Sequence, residues 1–260
     1  MGVTAILNDL TTCLRHGDLT VVNPHGGFLI VEAKSSENRS KRTDRQELAL
    51  STIGSYLQTD EATDLFGVEG PFFRRELAYT LQDHTDLVNR LIQKAKVDGA
   101  TVAQAERGLH YFISLGYHPD LLDEAVRSCR STPIVFHVNT HKYANTGHFP
   151  FTLSIRDPNA LFHFYAGDLN ILVLLESDVL HYLFSRRGYS VEIDLADRYP
   201  ITLRSKLLEY TDTPGIRLGG HMFNRLFVEF VSLRWLVKET VARIKSAQAD
   251  FDSRSVVEHT

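Results

Sequence analysis

The chain has 260 residues, of which 43% are hydrophobic and 23% are charged. This composition is typical of a globular protein with a buried apolar core. No apolar run approaches the ~18–20 residues that are needed to cross a bilayer. The first residues lack the basic segment, apolar segment and cleavage site of a signal peptide. We therefore expect Cys13 and Cys129 to be reduced thiols, and we predict a cytoplasmic protein with no membrane partner.

The formal net charge is −4. This value argues against a strong non-specific nucleic-acid binder, because such proteins usually carry a positive net charge. It does not exclude a nuclease, since acidic residues that bind a metal ion count as negative in the sum.

The first third of the chain contains a hairpin pattern between two helical patterns. Residues 4–14 have apolar side chains at helical spacing, which predicts a short helix. Leu19–Val22 and Phe28–Val31 are apolar runs rich in β-branched residues, and the turn-forming residues 23–27 separate them. This pattern predicts a β-hairpin. A further helix is predicted from Asp44 to Leu57, where Thr43 or Asp44 serves as the N-cap.

The rest of the chain mixes helical and strand patterns. From Phe73 to Arg130 the apolar spacing is mainly helical, including residues 102–115 and 121–129. Strands are predicted at residues 133–139, 149–155, 161–165, 169–175 and 190–195, and helices at residues 178–184 and 222–247. This alternation predicts a mixed α/β or α+β architecture.

Three residues around the hairpin have the chemistry of a phosphodiesterase. Hydrolysis of a phosphodiester needs an activated water and a positive charge, and Mg²⁺ ions can supply both. Mg²⁺ prefers oxygen ligands, and a neighbouring lysine can orient the water and stabilise the developing charge. Asp18, Glu32 and Lys34 provide two carboxylates and one ammonium group. Glu32 and Lys34 are two residues apart on the predicted strand, so they face the same side.

The position of Asp18 depends on the register of the hairpin. A three-residue loop at 24–26 places Asp18 opposite Glu32, whereas a loop at 25–27 places it opposite Lys34. Both loops put the three side chains on one face. A two- or four-residue loop would put Asp18 on the other face, because one residue of slip reverses the side chains.

This arrangement resembles the PD-(D/E)XK, or restriction-endonuclease-like, nuclease superfamily. The resemblance consists of Gly17-Asp18 and, after the turn, the segment Val31-Glu32-Ala33-Lys34-Ser35. A helix that carries Gln46 follows, as it does in relatives of the RecB-type nucleases. The resemblance covers about residues 15–57. It implies an α/β fold with a restriction-endonuclease-like core, a mixed sheet flanked by helices, in residues 1–75. Residues 76–260 would add α+β elements that complete the core, recognise substrate or form a dimer.

The resemblance also implies a role for each matching residue. Asp18 and Glu32 would bind Mg²⁺, for which Mn²⁺ could substitute, together with the backbone carbonyl of Ala33. Lys34 would act on the nucleophilic water, and Gln46 would position Lys34 or the phosphate. The implied activity is metal-dependent cleavage of nucleic acid, DNA rather than RNA, in restriction, repair or anti-phage defence.

Two questions stay open at the level of sequence. A basic cluster, formed by Arg39, Lys41, Arg42 and Arg45, follows the predicted strand and either contacts phosphates or forms a solvated loop. The alternative to a nuclease is a non-catalytic nucleic-acid-binding or protein-interaction module with a nuclease-like fold. An RNase with the same core and a homodimer are also compatible with the sequence.

Other candidate sites have weaker patterns. His137, His141 and His148 lack the spacing of a zinc motif. Asp168 and Glu176 flank a predicted strand, but no lysine stands two residues after Glu176, so we interpret both acids as structural.

Overall fold

The computed structural model describes residues 4–7, 19–22, 28–31, 48, 51–56, 58–63, 70–73, 76–143, 154–197, 199–206 and 215–257. The chain divides into two compact units. One contains Met1–Glu76 and Ala144–Pro150, and the other contains Leu77–Tyr143 and Phe151–Thr260. Both units combine antiparallel strands with helical segments, so the fold is mixed α/β. All paired strands in the described residues are antiparallel, so the mixed sheet that the resemblance implies is wrong for these strands.

The first unit contains an antiparallel sheet with the order β1-β2-β3. Its strands are β1 (Thr4–Leu7), β2 (Leu19–Val22) and β3 (Phe28–Val31). The pairing of β2 with β3 confirms the predicted hairpin. Residues 48, 51–56 and 58–59 are helical, in agreement with the helix predicted up to Leu57. The strands β4 (Glu61–Thr63) and β5 (Pro71–Phe73) form a separate antiparallel pair.

The prediction of a helix at residues 4–14 is wrong for Thr4–Leu7. These residues pair with β2, and the ladder runs from Thr4 opposite Val22 to Leu7 opposite Leu19. Over four residues an apolar run fits both a helix and a strand, and here strand pairing provides the backbone hydrogen bonds. Residues 8–14 of that prediction lie outside the described residues.

The second unit is built on a four-stranded antiparallel sheet with the order β6-β7-β9-β8. Its strands are β6 (Ala100–Glu106), β7 (Leu109–Leu115), β8 (Pro133–His137) and β9 (Leu169–Glu176). A smaller antiparallel sheet contains β10 (Tyr189–Ile193), β11 (Ile201–Ser205) and β12 (Ile216–Leu218). The strands predicted at residues 133–139, 169–175 and 190–195 are thus confirmed, except that residues 138–139 lie beyond the end of β8 and residues 194–195 lie beyond the end of β10.

Helices connect and cover these strands. They are α1 (Thr85–Asp98), α2 (Pro119–Ser128), α3 (Pro158–Ala166), α4 (Ser177–Ser185), α5 (Gly220–Val228) and α6 (Leu233–Val257), with a 3₁₀ segment at Val138–Tyr143. The helices predicted at residues 121–129 and 178–184 correspond to α2 and α4. Among the described residues, no helix has the length and apolarity to span a bilayer.

The helical prediction for residues 102–115 is wrong, because this segment forms most of the β6–β7 hairpin. All but the last residue of β7 are buried, so the strand is covered on both faces. Its apolar residues at 109, 111, 112, 113 and 115 follow no strict period of two, and sequence periodicity alone cannot separate such a segment from a buried helix.

The strand predicted at residues 161–165 is also wrong, because it lies in α3. Asp157 caps this helix by accepting a hydrogen bond from the Asn159 N–H at 2.9 Å, and Pro158 occupies the first turn. Gly167 ends the helix in the left-handed conformation. Of the strand predicted at residues 149–155, only Ser154 and Ile155 are described, and neither lies in a strand.

The predicted helix at residues 222–247 is divided into α5 and α6. Phe230 adopts a positive φ of 53°, which interrupts the helical path. Ser232 then accepts a hydrogen bond from the Trp235 N–H at 3.2 Å, as an N-cap residue does.

The two faces of the four-stranded sheet are covered differently. Tyr111 and Phe136 lie on one face, where Tyr111 contacts Phe230 and Phe136 stacks on Phe227 at 4.0 Å between ring centroids. Phe112 lies on the other face and packs with Ala125 of α2. The α2 face also carries the buried polar side chains of His110, Ser114 and Glu176, which require an explanation.

Two glycines at the ends of β7 test how closely α4 approaches the β6–β7 turn. Gly108 and Gly116 have similar positive φ values of +82° and +78°. A Cβ at Gly108 would lie 2.5 Å from the Cβ of Val179 in α4, whereas a Cβ at Gly116 would have no atom within 4 Å. We expect Gly116→Ala to cost about 1–2 kcal/mol of stability from backbone strain. Gly108→Ala should cost about 1–3 kcal/mol more, because Val179 of α4 must move.

Urea denaturation of both variants measures this difference. Equal destabilisation by the two substitutions would contradict the close approach of α4 to the β6–β7 turn.

Candidate functional site

The residues that resemble the nuclease motif lie outside the described residues. These are Asp18, Glu32, Ala33, Lys34 and Gln46, together with Arg39, Lys41, Arg42 and Arg45 of the basic cluster. The strands between Asp18 and Glu32 are described, so the hairpin register can be compared with the alternatives that the sequence left open.

The register of β2 with β3 matches one of these alternatives. Val22 lies opposite Phe28, and Leu19 lies opposite Val31. A loop at 25–27 would instead place Val22 opposite Ile30, and an even-numbered loop would shift every pair by one residue. The described pairs therefore have the register of the loop at 24–26. This register predicts that Asp18 lies opposite Glu32.

In the second unit, a buried histidine and a buried glutamate meet on the α2 face of the sheet. His110 in β7 lies opposite Leu174, and Glu176 follows two residues later along β9. Side chains two residues apart on a strand share a face, so both point towards the side covered by α2. His110 Nε2 lies 2.9 Å from Glu176 Oε1, and the two side chains are only 8% and 3% exposed.

Cys129 brings a sulfur atom to this pair. It follows the last turn of α2, where its N–H donates to the Val126 carbonyl at 3.2 Å and its thiol donates to the Ala125 carbonyl at 3.5 Å. The nitrogen, sulfur and oxygen ligand atoms of His110, Cys129 and Glu176 all lie within 4.8 Å of one another. We call these three residues the HCE cluster.

The electrostatics of the HCE cluster affect the thiol. Burial, and secondarily the charge of Glu176, raise the pKa of Cys129 above its ordinary value of 9.0. The thiol is therefore protonated at neutral pH in the absence of a cation. This disfavours a nucleophilic cysteine, which needs a lowered pKa.

Sequence reasoning did not find the HCE cluster. Its residues belong to three elements that are distant in sequence, and the apolar spacing around His110 predicts a helix. The pattern around Glu176 indicates only a structural role. The signal that the sequence offers is the placement of a histidine and a glutamate in largely apolar strands, where an unpaired polar group is costly.

A second histidine–glutamate pair has a structural role. Glu106 accepts hydrogen bonds from the N–H groups of Leu233, at 2.5 Å, and Arg234, at 3.4 Å, and its Oε1 lies 3.1 Å from His84 Nε2. Burial alone would raise the pKa of Glu106, but the hydrogen bonds with His84, the Leu233 N–H and Ser232 lower it overall. Glu106 thus anchors the N-terminus of α6, where a helix favours a negative charge.

A cleft of about 400 Å³ lies on the α2 face of the sheet, and its lining includes Ser114, His118, His137, Asp168 and Asn170. His118 Nε2 lies 3.0 Å from the Leu115 carbonyl, and His137 Nε2 lies 3.3 Å from Asn170 Oδ1. Each of these imidazoles thus has a polar partner within the protein. We place the candidate site at the HCE cluster rather than in the cleft, because among the described residues it is there that a histidine, a cysteine and a glutamate bring three potential ligand atoms together.

No protein-family model, curated protein or solved structure matches this chain.

The pH dependence of stability tests the role assigned to Glu106. Because its folded pKa lies below the ordinary value of 4.5, its stabilising contribution is present above pH 4.5 and is lost as the pH falls through the folded value. We expect Glu106→Gln to cost about 1–3 kcal/mol at pH 7. The difference from the wild type should shrink on acidification below pH 4.5.

Urea titrations between neutral and acidic pH measure this effect, with Glu124→Gln on the exposed side of α2 as the control. A stability difference that stays constant with pH would show that the Glu106 charge does not stabilise the fold.

Proposed function

We propose that this protein is a Mg²⁺-dependent nuclease with a restriction-endonuclease-like core, which hydrolyses phosphodiester bonds of DNA. The observation that carries this proposal is the register of β2 with β3. Among the registers that the sequence left open, the described pairs follow the one that predicts Asp18 opposite Glu32.

The neighbouring elements support the same proposal. The hairpin belongs to a three-stranded antiparallel sheet rather than standing alone, because β1 pairs along the other edge of β2. A sheet of three strands holds a hairpin more firmly than two strands do. Helical residues follow at 48, 51–56 and 58–59, in the segment where the superfamily resemblance implies a helix after the lysine strand.

The proposed roles follow from the chemistry of each group. The carboxylates of Asp18 and Glu32 and the carbonyl of Ala33 are hard oxygen donors, which suit Mg²⁺. The bound ion would supply Lewis-acid activation of water and of the phosphate. Lys34 orients the attacking water and stabilises negative charge on the phosphorane, and Gln46 positions Lys34. The basic cluster of Arg39, Lys41, Arg42 and Arg45 contacts the phosphate backbone.

A cleavage assay tests the proposed activity. Plasmid, linear duplex DNA, single-stranded DNA and RNA are incubated with the protein and Mg²⁺ or Mn²⁺, beside an EDTA control. We expect DNA cleavage that Lys34→Ala reduces by about 100-fold or more, because the variant lacks the group that stabilises the transition state. Lys94→Ala is the matched control, since Lys94 is an exposed residue of α1 that pairs with Asp98. Lys41→Ala should raise the KM and leave the kcat unchanged.

The results separate the alternatives. Cleavage of RNA alone would replace DNA with RNA as the substrate. Absence of cleavage on all four substrates with either metal would contradict the nuclease proposal and favour a non-catalytic nucleic-acid-binding or interaction module.

A further inference from the structure

The HCE cluster draws its three residues from three different elements of the second unit. It joins a histidine from β7, a glutamate from the end of β9 and a cysteine from the end of α2. The Glu176 N–H donates to the Gly108 carbonyl at 2.9 Å, which fixes the end of β9 beside the β6–β7 turn. His110 and Glu176 are therefore held on paired strands, and Cys129 is held at the C-terminal end of α2.

We infer that His110, Cys129 and Glu176 form a binding site for a transition-metal ion of the zinc class. Imidazole nitrogen, thiolate sulfur and carboxylate oxygen are the three donor types that zinc accepts in proteins. A thiolate ligand selects zinc-like ions over Mg²⁺, which prefers oxygen donors. This site is thus chemically distinct from the proposed Mg²⁺ site, and the inference does not rest on the proposed nuclease function.

The distances are compatible with tetrahedral coordination. For nitrogen and oxygen ligands about 2.0–2.1 Å from zinc, the edge of the tetrahedron is roughly 3.3 Å long. The observed separation of 2.9 Å between His110 Nε2 and Glu176 Oε1 reaches this value with a small rotation of either side chain. An edge that includes sulfur is roughly 3.6 Å long for a zinc–sulfur distance of about 2.3 Å. All three ligand atoms already lie within 4.8 Å of one another.

The charges also favour a dication. Glu176 is 3% exposed at the side chain, and a buried carboxylate is costly unless a positive group compensates it. A divalent ion would be neutralised by this carboxylate together with the Cys129 thiolate. Leu172, Leu174 and Phe112 pack around Cys129 and α2, and such an apolar surrounding strengthens ion–ligand attraction.

Cobalt(II) titration of the full-length protein tests the inference. Cobalt replaces zinc in tetrahedral sites, and a bound thiolate gives a charge-transfer band in the near ultraviolet. We expect this band to saturate at about one ion per chain and to disappear when Zn²⁺ is added, but to persist in excess Mg²⁺. Oxygen ligands give no such band, so the band reports on the HCE cluster alone. Its presence or absence is therefore independent of whether the proposed Mg²⁺ site binds metal.

The two cysteines provide a matched pair of variants. Cys129→Ser should abolish the charge-transfer band, Cys13→Ser should leave it unchanged, and Glu176→Gln should weaken cobalt binding by about tenfold or more. Circular dichroism and thermal melting verify that each variant is folded. Absence of the band in the wild-type protein, or its loss in Cys13→Ser instead of Cys129→Ser, would overturn the inference.

A measurement on the wild-type chain avoids any dependence on variant folding. Zn²⁺ should slow alkylation of Cys129 by iodoacetamide by about tenfold or more, as read by peptide mass spectrometry, because a metal-bound thiolate is a weaker nucleophile. The rate at Cys13 should not change. Equal alkylation of Cys129 with and without Zn²⁺ would overturn the inference.

Discussion

The antiparallel pairing of β7 with β9 is the constraint on which the larger unit depends. Seven residue pairs, from Leu109 opposite Leu175 to Leu115 opposite Leu169, form the centre of the four-stranded sheet. Both strands are largely buried, so a shift by one residue would exchange the apolar face of Tyr111 with the face of His110. The same register that buries the core therefore brings His110 and Glu176 together.

The sequence predicts an element correctly where its apolar pattern and its turn or cap residues indicate the same structure. The β2–β3 hairpin has apolar runs on both sides of a glycine-rich turn, and α2 begins with a proline in its first turn. The prediction fails where the apolar residues of a segment show no clear period. Residues 109–115 of β7 and residues 161–165 of α3 show this ambiguity. For residues 161–165, the cap at Asp157 and the left-handed Gly167 identify the helix.

The candidate sites differ in what sequence can reveal. The nuclease motif is local in sequence, because Asp18, Glu32 and Lys34 fall within seventeen residues, so spacing and turn length are enough to predict it. The HCE cluster depends on the register of two strands and on the end of a helix that is distant in sequence. No local spacing encodes such a contact, so the sequence pattern by itself indicates only a structural role for Glu176.

The proposed nuclease site requires that Asp18 and Glu32 bind one divalent ion together. A double-mutant cycle of Mn²⁺ affinity tests this requirement, measured by electron paramagnetic resonance on Asp18→Asn, Glu32→Gln and the double variant. Two ligands of one ion are coupled, so the double variant should lose clearly less binding free energy than the sum of the two single losses. Additive losses would indicate that the two carboxylates bind independently. Unchanged Mn²⁺ affinity in the double variant would show that neither carboxylate is a ligand. Either result would contradict the proposed metal site.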